Sequence, residues 1–276
     1  MGSFVGDYLR ARRALVRPED VGIASGPGWR RVQGLRREEL AAVAGLSPEY
    51  YTRLEQGQHA QPSAQVLQSL ARPLGLDHYG LAHLLRLSRI DSGAERAEST
   101  HEKSDNALAL SRQLITYFGD TGALVVDNNQ DVVLCSPLAA SLGQTALRPG
   151  VNLLEVVYAS WYRLRAPGWL NIAHWSTAAL RYHGHPRDPR FRSIVARMKN
   201  LGGTDFDRLW ARHDVAPFGP VTAGLRLGEA RWTLTYVQGL EIHGAPGLHL
   251  LVSGPRTDEG TAYLDRPSTE PAPIAA

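Results

Sequence analysis

Histidines and acidic residues are the first side chains to test for chemistry in this 276-residue chain, and their spacing builds no catalytic centre. His183 and His185, in YHGHP, could ligate a metal, yet no third ligand follows at a diagnostic spacing and no HExxH occurs. Asp214 could orient His213, but nothing resembling a nucleophile stands beside the pair, so no triad is read. Trp210 and His213 read instead as residues that fix the end of a helix against a sheet. The glycines are scattered and form no phosphate loop. Cys135, the one cysteine, can form neither an internal disulfide nor a multi-cysteine metal site; in VVLCS it reads as a small buried apolar group on a strand. No enzyme and no metal are expected.

Hydrogen-bonding groups at a specific spacing appear instead in LRREELAAVAGLSPEYYTRLEQG, residues 35–57. Two short helices joined by a tight glycine turn are the unit that places one helix in a DNA major groove. Gly45 supplies the turn, Ser47 is an N-cap, and Pro48 suits the first helical position. Leu40, Ala44, Leu46, Tyr51 and Leu54 can pack between the helices, with Leu35, Ala41 and Val43 also turned inward. Pro48, Glu49, Tyr50 and Arg53 are left on the exposed N-terminal half of the second helix, where side chains meet base edges. Trp29, Arg30 and Arg31, in GWRRVQG, could extend onto a DNA backbone or minor groove, or fold back onto the helices around Trp29.

The elements that must hold this segment follow from periodicity. Phe4, Val5, Tyr8, Leu9 and Leu15 form a helical stripe that Pro18 ends, and 17–34 reads as a long loop. A helix carrying Val66, Leu67, Leu70 and Leu74 starts at Ser63 and loses regularity at Arg72, before Pro73; a fifth starts at an Asp77 cap. Five helices in residues 1–90 resemble the phage-repressor and Cro type of helix-turn-helix, on LRREELAAVAGLSPEYYTRLEQG with PSAQVLQSLARPLGL after it. The resemblance implies that the second helix of the motif is the recognition helix, so that Pro48, Glu49, Tyr50 and Arg53 face bases while Arg36 and Arg37 face phosphates, with the N-cap Ser47 a further DNA-binding candidate. The long loop departs from the compact phage pattern.

Residues 91–105 are polar and read as a linker, 106–254 as a second domain, and 255–276 as a tail. ALVVD and DVVLCS form a hairpin, helical segments follow from PLAASLG to FDRLWARHD, and VTAGLRLG, RWTLTYVQGLEI and GLHLLVSG are strands. The order predicts an α+β domain, a five-stranded antiparallel sheet with its helices gathered on one side. Aromatics cluster at Tyr158, Trp161, Tyr162, Trp169, Trp175 and Tyr182, and suit either a core or a ligand site. His174, Arg181, Arg212 and His213 could meet a carboxylate. ALVVD, CSPLAA, HPRDPRF and FDRLWARHDV together resemble the MmyB-like regulators over nearly the whole chain. That implies a PAS-like fold holding a fatty-acid-like molecule, with Trp161, Tyr162, Trp169, His174, Trp175, Tyr182, Trp210, Arg212 and His213 as candidate ligand residues. Leu134-Cys135-Ser136 stands where the family often has Ala-Trp-Asn, which puts that wall in question.

Charge and composition agree with a regulator. Residues 1–90 carry 12 Lys+Arg against 8 Asp+Glu, whereas the rest is nearly balanced, so the positive excess sits where a phosphate-binding surface needs it. No apolar run approaches the ~20 residues that span a bilayer, and the N-terminus lacks a secretory core, so a cytoplasmic protein is expected. The expected partners are a palindromic double-stranded operator, a second copy of the chain and a small hydrophobic ligand, with no cofactor beyond such a ligand. The alternatives are a metabolite-processing enzyme fused to its own DNA-binding module, and a ligand-free protein-interaction domain.

Overall fold

The computed structural model describes residues 3–24, 32–58, 61–96, 105–118, 121–141, 147–226 and 232–254. The tail after Gly254 and the loop residues Trp29, Arg30 and Arg31 lie outside them. The chain forms two compact units: Met1–Ser99 with His185–Pro189 and Gly203–Ala216, and Thr100–Gly184 with Arg190–Gly202 and Pro217–Ala276. Two stretches within 106–254, His185–Pro189 and Gly203–Ala216, fall in the helical unit.

The helical unit holds α1 (Phe4–Leu15), a 3₁₀ turn (Pro18–Val21), α2 (Arg37–Ala44), α3 (Pro48–Glu55), α4 (Ala64–Ala71) and α5 (His78–Asp91). Its helix starts follow local hydrogen-bond chemistry. Ser47, Ser63 and Asp77 each accept from the amide three residues on, at Tyr50, Val66 and Gly80. Tyr8, Leu9, Leu35, Leu40, Tyr51, Leu54, Leu67, Leu70 and Leu84 make the core. Val43, expected inside, is 43% exposed, because Ala41 takes the inward position on that turn. The Asp91 carboxylate ties α5 to the start of α1, accepting from Ser3 Oγ at 2.7 Å and from the Val5 amide at 3.0 Å.

In the other unit, α6 (Asp105–Tyr117) precedes β1 (Gly122–Asp127) and β2 (Val132–Cys135). Then come α7 (Pro137–Ser141), α8 (Leu153–Tyr158), α9 (Ser160–Arg163), α10 (Trp169–His183), the Arg190–Gly202 part of α11 (Pro189–Ala211), β3 (Val221–Leu225), β4 (Thr233–Glu241) and β5 (Leu248–Gly254). The sheet is antiparallel in the order β2-β1-β5-β4-β3, with Leu124 opposite Leu251 and Val221 opposite Val237. Both faces are covered. Ala123, Val125 and Leu250 pack with Ala107, Leu110 and Leu114 of α6, while alternate residues of the same strands face a cavity walled by α7 to α10. The helices are therefore not gathered on one side, and β1 is buried throughout for that reason. Cys135 is half-buried rather than buried, since β2 is an edge strand; what burial it has pushes its thiol up.

Candidate functional site

At the α2–α3 turn, Gly45 adopts the left-handed conformation (φ 69°), and the Leu46 amide closes onto Ala41 O at 2.9 Å. This sets α3 with one side in the core and the other in solvent. Tyr51, Leu54 and Glu55 are buried; Ser47, Pro48, Glu49 and Arg53 are exposed. The Arg53 guanidinium makes no ion pair among the described residues. Tyr50 differs, because its ring is half-buried against the core. The Ser47 hydroxyl is engaged in capping Tyr50 N. Arg36 is exposed, its amide capped by the Glu39 carboxylate at 2.7 Å.

Arg37 has a further task. Its guanidinium reaches Glu55 Oε1 at 2.8 Å, and Arg13 of α1 grips the same carboxylate with Nε and Nη2 at 2.9 and 3.0 Å. Glu55 is almost wholly buried. Burial alone would raise its pKa, but the hydrogen bonds and charge of Arg13, then Arg37, hold it below the ordinary carboxylate range. The cluster thus locks α1 and α2 to the end of α3. Gly6 lets α1 come this close: a Cβ there would lie 2.3 Å from Glu55 O. A glutamate in RLEQG looks like surface in sequence; only the arginines of two other helices reveal its place.

The second candidate site is a cavity, part of it continuous with solvent. Trp161, Tyr162 and Trp175, expected at a ligand site, do line it. The polar atoms of two of them turn into the protein: Tyr162 OH donates to Gly224 O at 2.8 Å, and Trp175 Nε1 to Gly219 O at 2.9 Å. Ile172, Ala223 and Leu251 line the space beside them. Desolvation pushes the Tyr162 phenol up, as an apolar wall requires. Arg226 is the charged residue of the lining.

The other expected ligand residues are elsewhere. Trp169 packs edge-on to Tyr158 and donates to Val157 O, while His174 and Tyr182 are on α10 outside the lining. Trp210, Arg212 and His213 belong to the helical unit. Trp210 stacks on Phe206, Arg212 pairs with Asp214 at 2.6 Å, and His213 meets Tyr8 of α1 edge-on, so this helix end is fixed against α1 and not against the sheet. Arg181 is buried within α10. Sequence reading missed Trp232, which packs on Trp161 and Tyr162 and lines the cavity; its place just before an alternating strand was the available signal.

His183 and His249 are buried with ring centroids 4.1 Å apart, whereas His185 belongs to the helical unit. No group of three or more metal-ligating side chains is found among the described residues, and no helix among them is long and apolar enough to cross a membrane.

Two family models match the chain. One, described as MmyB-like transcription regulator ligand binding domain, covers residues 109–266; the other, described as helix-turn-helix, covers 29–81. No curated protein matches.

Proposed function

The chain belongs to the MmyB-like transcription regulators, a DNA-binding helix-turn-helix joined to a ligand-binding domain, and from that premise we propose a cytoplasmic homodimer that reads a palindromic operator through α3. The observation that carries the reading is α3 itself, anchored by Tyr51, Leu54 and Glu55 while Pro48, Glu49 and Arg53 stand in solvent. One such helix reads only a few base pairs, and paired half-sites supply the remaining specificity. Arg53 has an exposed fork of the kind that guanine O6 and N7 accept, and Arg36 the exposure a phosphate contact needs.

Arg53→Ala is expected to cost about 1–3 kcal/mol at one base position and relax preference there, whereas Arg36→Ala weakens all sequences alike. Competition binding against a panel of single-base operator variants measures both. Equal, sequence-independent losses would overturn the assignment of roles.

The cavity supports an apolar or amphipathic ligand in a PAS-like domain: the sheet order sets β5 at its centre between β1 and β4, and the lining is aromatic and aliphatic with Arg226 for an anionic end. The acid–base candidates favour regulation over catalysis, since His183 and His249 lie in one unit and His213 with Asp214 in the other. Sodium dodecanoate, below its micellar concentration, is a suitable probe. Ala223→Leu fills space at the cavity wall and is expected to weaken its binding at least about tenfold, roughly 1.4 kcal/mol, with calorimetry as the measurement. Unchanged affinity would place the ligand elsewhere.

A further inference from the structure

Residues 203–216 lie inside the matched ligand-binding segment, yet they pack as part of the helix-turn-helix unit. The change of unit begins at Gly203, whose φ of 53° and ψ of −142° break the course of α11 in a region closed to L side chains. Beyond it, Phe206 and Leu209 are buried, and Val215 packs against the core that holds Tyr8 and Leu9. Arg12 of α1 clasps the end of this stretch, donating from Nη1 to Asp214 Oδ1 at 2.5 Å and to Arg212 O at 3.4 Å. His213, held at φ 54°, stands edge-on to Tyr8 with ring centroids 6.2 Å apart.

Only Val215 to Phe218 separate Asp214 from Gly219, and here the chain is back in the sheet unit. Phe218 stacks on His183 at 4.8 Å, its backbone lies so close to Gly239 that a Cβ there would be 2.1 Å from Phe218 O, and Gly219 O accepts the Trp175 indole N–H. Trp175 is a wall of the cavity. One short run of chain is thus fixed at one end to the ligand wall and at the other to α1, whose Arg13 holds Glu55 at the end of α3.

We infer that Gly203–Gly219 is the coupling element of this regulator. Resting on the reading that the cavity binds a ligand and α3 reads DNA, it transmits occupancy beside Trp175 through Gly219 and Asp214 to α1, and so to the recognition helix. Coupling is reciprocal, so DNA must alter ligand affinity by the same factor that ligand alters DNA affinity.

The test uses the full chain, sodium dodecanoate, and the duplex that the protein enriches from a random pool. Dodecanoate is expected to change DNA affinity by about fivefold or more. Asp214→Asn, and Arg12→Gln from the other side of the clasp, should each cut that factor to below about twofold while leaving the separate affinities for dodecanoate and DNA as they were. If the probe and the duplex both bind but wild type shows no such factor, or both variants keep it whole, the coupling role is overturned and the ligand and DNA sites stand. If dodecanoate does not bind or no duplex is enriched, it is the functional reading that fails, and hydrogen exchange then decides the coupling. Trp175→Phe, which loses the N–H that Gly219 accepts, must change exchange in α1 of the wild type and not of Asp214→Asn. Identical α1 exchange with and without Trp175→Phe overturns the coupling.

Discussion

Replacing Glu55 by glutamine is expected to cost the helical unit about 3–5 kcal/mol, the range for leaving one side of a buried ion pair without its partner. The glutamate is almost fully buried and accepts from Arg13 on α1 and Arg37 on α2, with Arg10 Nε a further 3.6 Å away. Glutamine keeps the shape but turns an amide N–H₂ toward guanidinium donors, so the buried cation of Arg13 faces a donor in place of a charge. Arg37 is 43% exposed and regains water, which places most of the loss at Arg13. Urea unfolding measures it as a lower midpoint with an unchanged slope. The double replacement Arg13→Met/Glu55→Leu should recover much of the loss, because two apolar side chains remove the desolvation problem with the charge. A loss under about 1 kcal/mol for Glu55→Gln would make this an ordinary surface pair.

The pH dependence has a definite sign. A folded pKa below the unfolded value of ~4.3 means that the contribution is present above that pH and is lost as acid protonates the folded carboxylate. Function follows stability here: without the tie, α3 keeps its own capping at Ser47 but loses the grip of α1 and α2, and DNA affinity should fall with no change in base preference.

Locally determined features were legible in sequence. Ser47, Ser63 and Asp77 start helices because a side-chain oxygen one turn from an orphan amide needs no tertiary information. The five strands were legible because β-branched alternation and turn residues mark them. Long-range choices were not legible. FDRLWARHDV has the apolar spacing of a buried helix face, and periodicity does not say against what; the partner is Arg12, 202 positions before Asp214. The same blindness assigned Trp210, Arg212 and His213 to the ligand. The cavity was half visible: Trp161, Tyr162 and Trp175 declared themselves by size, whereas Ala223 and Leu251 matter only because antiparallel register puts them on the face that Leu124 and Gly122 share.

The same sheet carries the second large effect, a loss of stability in mild acid that belongs to His249. This imidazole is buried on β5, within 2.9 Å of Asn128 Oδ1 and packed on the His183 and Phe218 rings, and burial pushes its pKa down to about 4. In the unfolded chain it titrates near ~6.5. Between these two values the unfolded state binds a proton that the folded state refuses, so stability is fully present above about pH 6.5 and declines as pH falls toward 4. The upper bound is roughly 3.5 kcal/mol, two and a half pH units at about 1.4 kcal/mol each. Exchange of the β5 amides at a series of pH values reads this locally. His249→Gln keeps a donor for Asn128 and removes the titration, so its stability should run nearly flat across the window, apart from the slope that other groups share with wild type. Superimposable wild-type and variant slopes would mean that His249 is protonated in the fold. Since Phe218 packs on this ring and precedes Gly219, acid that charges His249 in the fold should also loosen the segment tied to Trp175, so dodecanoate affinity is expected to fall only as pH approaches about 4, and to hold there in His249→Gln.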